Sequence, residues 1–206
     1  MCKPILVLLA LIIGLVPEAW AGEPPARDEV VSALRTGGYV LYLRHPKTNP
    51  DQADTDPLHL ENVAAQRQLT DEGRAQAKAI GSAFKRLGVP IGQILSSQFF
   101  RAQEAARLLD VGSVETSPDV TEGGLVVSPR ENQRRAAALR RLLSTAPPSG
   151  TNLLVVSHRP NLQDAAGTAF GDLGEGEIVV FRPLGEDGFE ARFRIASPEL
   201  WSDWTR

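Results

Sequence analysis

The chain has 206 residues, a formal charge of −3 at neutral pH, and a single Cys. The length suits one domain with a substantial core. The lone cysteine excludes an internal disulfide, and the slight charge, with no block of one sign, points away from a nucleic-acid surface.

Read from the N-terminus, Lys3 precedes an apolar run from Ile5 to Val16, followed by Ala19-Trp20-Ala21. This is the pattern of a signal peptide over 1–21, with a small-x-small cleavage site. The run is short of the roughly 20 apolar residues that a bilayer span needs. The expectation is therefore an exported chain, periplasmic or secreted, with no stable membrane insertion after cleavage and a single domain over 22–206. The only Cys and the only Met both lie in this leader. The mature chain then has no thiolate nucleophile and no sulfur ligand for a metal.

Beyond the leader, strand and helix patterns alternate. Val30, Val31 and Leu34 mark a short helix over 28–36, closed by Gly37-Gly38. A compact apolar strand follows over 39–43. Residues 47–66 form a long polar loop without a clear period, the kind of connection that often serves as a binding segment. Thr70 caps a helix running to Leu87, with Ala77, Ile80, Ala83, Phe84 and Leu87 on one stripe and Gly88 at its end. A strand is expected over 91–95, a helix over 100–109, a short strand over 114–116 and a helix over 132–143. That last helix carries Arg134, Arg135, Arg140 and Arg141, expected to lie on a solvated face. A strand over 153–157 is followed by a helix that Pro160 opens. Residues 178–182 and 189–195 pair as a hairpin across Gly185-Glu186-Asp187-Gly188. Trp201 and Trp204 are expected to pack the C-terminal segment onto the body. No repeat and no second-domain boundary is visible.

Three junctions carry chemistry. Leu43-Arg44-His45-Pro46, Ser96-Ser97-Gln98-Phe99-Phe100-Arg101-Ala102 and Val155-Val156-Ser157-His158-Arg159-Pro160 each follow an expected strand. Open α/β sheets bind ligands at the carboxyl ends of their strands. Two imidazoles and two guanidiniums meeting there suit a doubly charged phosphoryl group. With no cysteine and no metal cluster, a neutral imidazole is the plausible nucleophile, and His45 is held directly at a strand end. Arg44 and Arg101 can grip phosphoryl oxygens, and His158, if protonated, adds a fourth donor.

Four segments resemble the histidine phosphatase superfamily, in its phosphoglycerate mutase-like branch. Arg44-His45-Pro46-Lys47-Thr48 is similar to the family's Arg-His-Gly-x-Thr. The segment from Gln68 to Ala77 is similar to its Leu-Thr-x-x-Gly-x-x-Gln-Ala helix start. The segment from Ser96 to Ala106 is similar to Ser-Ser-x-x-x-Arg-Ala-x-x-Thr-Ala, and the one from Val155 to Leu162 to the second-histidine motif. The resemblance implies a three-layer α/β/α domain with a mostly parallel central sheet. It implies hydrolysis of a phosphate monoester through transient phosphorylation of His45, with Arg44, Arg101 and His158 on the phosphoryl group. It also implies an acid after the third strand, for which Glu122 is the best placed and Glu115 and Asp119 compete. Arg67 is a candidate further phosphate ligand, or a pre-helix surface charge.

Two positions depart from the pattern. Pro46 replaces the usual Gly and cannot supply a backbone donor. Arg159 follows the second histidine and reads as a surface guanidinium rather than an extra anion ligand. His59 reads as exposed. Asp51, Asp54 and Asp56 lack the Gly and terminal Glu of a calcium loop. The expected ligand is a small phosphorylated substrate, with no cofactor and no metal. A phosphomutase, or a catalytically weak phosphate-binding regulator, remains the alternative.

Overall fold

The computed structural model describes residues 25–123 and 126–206. The expected leader over 1–21 lies outside the described residues. Six strands form one sheet: β1 (Val40–Arg44), β2 (Ile91–Ser96), β3 (Val114–Thr116), β4 (Asn152–Ser157), β5 (Ile178–Pro183) and β6 (Phe189–Ile195). Their spatial order is β3-β2-β4-β1-β5-β6. β3, β2, β4 and β1 run parallel, while β5 pairs antiparallel with both β1 and β6.

Central parallel strands are covered on both faces, so they read as continuous apolar runs. In β4 every residue is buried. Alternation then sorts side chains between two cores. Leu41 and Leu43 of β1, with Leu154 and Val156 of β4, face α1 (Arg27–Thr36), α2 (Asp71–Leu87), α3 (Phe100–Leu109) and α6 (Pro198–Asp203). Val40, Tyr42, Leu153 and Val155 face α4 (Pro129–Ser144) and α5 (Arg159–Ala166). The result is the expected three-layer α/β/α arrangement, with a mixed sheet whose four parallel strands carry the site.

Most elements fall within a residue or two of their expected bounds. α4 begins at Pro129, three residues before the expected 132. Ser128 accepts a hydrogen bond from the Glu131 N–H, and Pro129 sits in the first turn. Ser128-x-x-Glu131 is a capping-box spacing that apolar periodicity alone overlooks. The helix α6 carries the expected tryptophan anchor: Trp201 is fully buried and meets Phe84 edge-on at 4.9 Å.

The basic face of α4 requires a correction. Arg134, Arg140 and Arg141 are exposed, but the Arg135 side chain is only 13 % exposed. Its Nη1 donates to the Thr121 carbonyl at 3.0 Å and the Glu122 carbonyl at 3.4 Å. It points inward because Glu131, one turn earlier, holds Nε at 2.8 Å while the Thr121 and Glu122 carbonyls lie within reach of Nη1.

Two glycines fix close approaches. A Cβ on Gly73 would sit 2.1 Å from the Lys47 carbonyl oxygen, and one on Gly81 would sit 1.8 Å from that of Leu109. Gly73 thus lets the segment after His45 lie on the first turn of α2. There the Lys47 carbonyl accepts the Thr70 N–H at 3.0 Å. At the opposite end of the sheet, Asn152 ties three segments together, donating to Leu34 and Pro90 carbonyls and accepting from the Tyr39 N–H.

Candidate active site

Register brings the two candidate histidines together. β1 and β4 are parallel neighbours with Arg44 opposite Ser157. The residues that follow, His45 and His158, must therefore leave the sheet side by side. The His45 N–H continues the ladder to the Ser157 carbonyl at 2.9 Å. The two rings meet edge-to-face with centroids 5.2 Å apart, and both are almost fully buried.

Each imidazole has an identifiable tautomer. His45 Nδ1 lies 3.0 Å from the Pro46 carbonyl oxygen. A carbonyl only accepts, so Nδ1 carries the proton and Nε2 keeps its lone pair. Pro46 lacks an N–H, yet it keeps the carbonyl that orients the ring. His158 Nε2 lies 2.8 Å from Ser97 Oγ, which already accepts the Phe99 N–H at 3.2 Å. With that hydroxyl proton directed to Nε2, the His158 proton belongs on Nδ1. Tyr42 donates to the His158 carbonyl at 2.7 Å and fixes its backbone.

β2 ends beside β4, and the Ser97 N–H donates to the Val156 carbonyl at 3.0 Å. The chain turns there into α3, and Arg101 lies in its first turn, fully buried. Its Nη1 contacts both oxygens of Asp54 at 3.0 and 3.1 Å, and its Nη2 contacts Glu122 Oε1 at 2.6 Å. The Phe99 ring stacks under the guanidinium at 4.3 Å. Arg44, mostly buried, donates to the Leu173 carbonyl at 2.6 Å and lies 3.5 Å from Glu175. Glu175 also accepts from the Thr48 hydroxyl at 2.6 Å.

Glu122 reaches this cluster and its two competitors do not. Its Oε1 is 3.5 Å from His158 Nδ1. Glu115 is exposed and meets Gln93, while Asp119 pairs with Arg134 at 2.6 Å. Arg67 also belongs to the site. Its buried Nε, the buried Nε of Arg101 and His158 Nδ1 have no hydrogen-bond partner. Unmatched donors under a pocket are costly unless an acceptor of the right geometry enters it.

Burial dominates the electrostatics. It pushes both imidazoles well below their ordinary range, and the positive charge of Arg101 adds to the effect. His45 is thus a neutral imidazole. His158 is held neutral in the same way, so it donates through one N–H. Burial pushes Glu122 up, Arg101 opposes this, and the charge of Asp54 pushes in the same direction as burial. Desolvation by the fold thus raises Glu122 before any phosphate group faces it.

Arg159 is exposed at the start of α5, as expected of a surface guanidinium. His59 is exposed and pairs with Asp56 at 2.8 Å. Among the described residues, no group of three or more His, Cys, Asp or Glu side chains is placed to hold a metal ion. No described helix is long and apolar enough to cross a membrane.

Sequence reasoning missed Asp54, Ser97, Glu175 and Arg135 as parts of this site. Ser97 stood inside a quoted motif without a role, and Asp54 was weighed only as a cation ligand. Glu175 and Arg135 have no local signal, because their partners lie 127 and 14 residues away in the chain.

Comparison with known proteins agrees with this geometry. The family model of the histidine phosphatase superfamily, branch 1, matches residues 41–124. The chain carries Arg44, His45, Arg101 and Glu122 within that match. Its second histidine, His158, lies beyond the matched segment and joins His45 through the strand register. Among curated proteins it is 32 % identical over 91 residues to the mitochondrial serine/threonine-protein phosphatase Pgam5 of Drosophila grimshawi. That alignment covers 41 % of this chain and 28 % of the relative, so the chain spans little more than a quarter of that protein's length. The fold matches that of the protein histidine phosphatase SixA complexed with tungstate, at TM-score 0.53 and 20 % identity, over 79 % of this chain and 98 % of SixA. It also matches the α-ribazole phosphatase of Shigella flexneri, at TM-score 0.53 and 16 % identity, over 78 % and 96 % of the two chains.

Proposed function

We propose that this chain is an exported phosphatase that hydrolyses a phosphate monoester through a phosphohistidine at His45. One observation carries the proposal. A buried imidazole with its lone pair on Nε2 adjoins three buried donors, Arg101 Nε, Arg67 Nε and His158 Nδ1, that no protein group satisfies. A phosphoryl group supplies the acceptors these donors lack.

In the first half-reaction His45 Nε2 attacks phosphorus and the ester P–O bond breaks. The leaving oxygen takes the proton of Glu122, whose carboxyl burial keeps protonated above the usual range. Arg44, Arg67, Arg101 and His158 carry the charge on the non-bridging oxygens. In the second half-reaction the Glu122 carboxylate takes a proton from water as its oxygen attacks phosphorus. The N–P bond breaks, phosphate leaves, and both groups return to their starting protonation. Export rests on the leader pattern over 1–21.

The test is a panel of phosphate monoesters offered to the purified 22–206 chain, with labelled substrate quenched in alkaline detergent. The expected result is turnover on at least one ester, an acid-labile and alkali-stable phosphoenzyme, and activity that survives exhaustive EDTA. Turnover without any phosphoenzyme, or activity restored to a chelated protein only by an added divalent ion, overturns the mechanism.

A further inference from the structure

Arg101 is shared by two carboxylates. Asp54, from the long loop between β1 and α2, takes Nη1 with both of its oxygens. Glu122, from the segment after β3, takes Nη2. Asp54 Oδ1 also accepts the Arg67 backbone N–H at 2.9 Å. One loop carboxylate therefore ties together the Arg101 guanidinium, the start of the Arg67 side chain and, across the guanidinium, Glu122. Its own side chain is only 22 % exposed.

This placement divides the guanidinium. Nε–H and one Nη2–H lie parallel along one edge, and Nη1 lies away from that edge. With Asp54 on Nη1 and Glu122 on Nη2, Nε alone is left without a protein acceptor. Nη2 meets the same Glu122 oxygen that lies 3.5 Å from His158 Nδ1, so the Nη2 corner of the guanidinium lies beside the second histidine.

We propose that Asp54 is a positioning residue for phosphoryl transfer: it holds Arg101 by Nη1 so that Nε and Nη2 are left for the transferring group, and it sets a second carboxylate beside Glu122 across the guanidinium. The proposal rests on the phosphatase reading above. A carboxylate beside a phosphate dianion weakens binding, so its presence here calls for a role that offsets this. Two carboxylates on one guanidinium carry one negative charge too many, and a proton relieves it. Of the two, Glu122 has one strong contact, whereas Asp54 accepts from both Arg101 and the Arg67 backbone. Burial raises Glu122, Arg101 opposes this, and the Asp54 charge acts in the same sense as burial. The other groups acting on Glu122 are Arg101 from α3, Arg67 from the loop and Arg44 and Tyr42 from β1. His158 after β4 and Arg135 from α4, the latter at its backbone carbonyl, complete the set.

The experiment compares Asp54→Asn and Asp54→Ala with the wild-type protein, after circular dichroism has shown all three folded. Asn keeps the Oδ1 acceptor that Arg101 Nη1 and the Arg67 N–H share, and it loses the charge and the second acceptor, while Ala removes all three. With an alkyl phosphate, Asp54→Asn is expected to shift the alkaline limb of kcat/KM to lower pH by roughly one unit. With an activated aryl phosphate, whose leaving oxygen needs no proton, the limb stays in place. Asp54→Ala is expected to lose about a further tenfold in kcat/KM on both esters, from a misplaced Arg101. Calorimetry with inorganic phosphate should show binding to Asp54→Asn at least as tight as to wild type. A merely structural role predicts equal losses on both esters and an unmoved limb, and that result overturns the proposal. If Asp54→Asn leaves the pH profile and the ester preference of an active enzyme untouched, the proposal falls and the phosphatase reading stands. A folded wild-type protein without turnover on any ester defeats both.

Discussion

The pocket has two halves of different construction. Arg44, His45, Arg101 and His158 stand where β1, β2 and β4 end, and neighbouring strands fix their backbones through hydrogen bonds such as His45 N–H to Ser157 and Ser97 N–H to Val156. Asp54, Arg67, Glu122 and Glu175 come from connecting segments, and side-chain contacts hold them instead: Asp54 to Arg101, Arg135 to the Glu122 carbonyl, Glu175 to Thr48. A strand end positions a group through the sheet whether or not the pocket is complete. A loop group is positioned only by partners that are themselves pocket residues. In the proposed mechanism, covalent chemistry falls to the first half, and proton supply and charge balance to the second.

The largest effects test the strand-borne half. His45→Ala should lower kcat by about 10⁴-fold or more and abolish the phosphoenzyme while the fold survives, since the ring is oriented by one backbone contact that folding does not need. Arg101→Ala should cost about 10²-fold in kcat/KM. Steady-state assays of both variants decide the matter, and if Arg101→Ala proves worse than His45→Ala, the division of labour drawn here is wrong.

Glu122→Gln probes the loop-borne half. The loss should be about 10²-fold on an alkyl phosphate and small on an activated aryl phosphate. The wild-type profile should rise with pH through the His45 titration, which lies well below the ordinary imidazole range. It should fall again through the raised Glu122 titration. Equal losses on the two esters would remove Glu122 as the acid.

A smaller effect is thermodynamic. An unfolded imidazole binds its proton near pH ~6.5, while His45 and His158 in the fold resist protonation. Acidification below that value therefore favours the unfolded chain, at up to about 1.4 kcal/mol per pH unit for each ring. Glu122 acts in the opposite sense: its raised titration stabilises the fold at low pH, and that contribution is lost as pH rises through the folded value. Urea unfolding between pH 7 and pH 5 should show the net acid sensitivity in wild type and much less of it in a His45→Asn/His158→Asn protein. Equal slopes would mean that the rings are not held neutral.

The same division explains what the sequence revealed. The strand-borne residues were legible because a strand pattern, a helix cap and a His or Arg between them occupy adjacent positions, as in Val155–Pro160. Thr70 and Gly88 marked the ends of α2 for the same local reason. Loop-borne residues were legible only where a motif lay nearby. Glu122 was found, but among three carboxylates, because nothing local distinguishes one that meets Arg101 from one that meets Arg134 or Gln93. Asp54 was misread because its partner is 47 residues away. Arg135 was assigned to a solvated face because a helical wheel does not know which carbonyls lie above it.

Pro46 shows how a chain can forgo a glycine beside a histidine at a strand end. Glycine is required where φ is positive or where another backbone comes too close, and among the described residues the only non-glycine with positive φ is Asp110. The turn after His45 makes neither demand at residue 46, so its φ can be locked by a ring. Locking it narrows the unfolded ensemble at that step and fixes the carbonyl that holds the imidazole. The entropic cost of aligning the Nε2 lone pair is then met once, when the chain folds, and does not recur with each substrate that arrives.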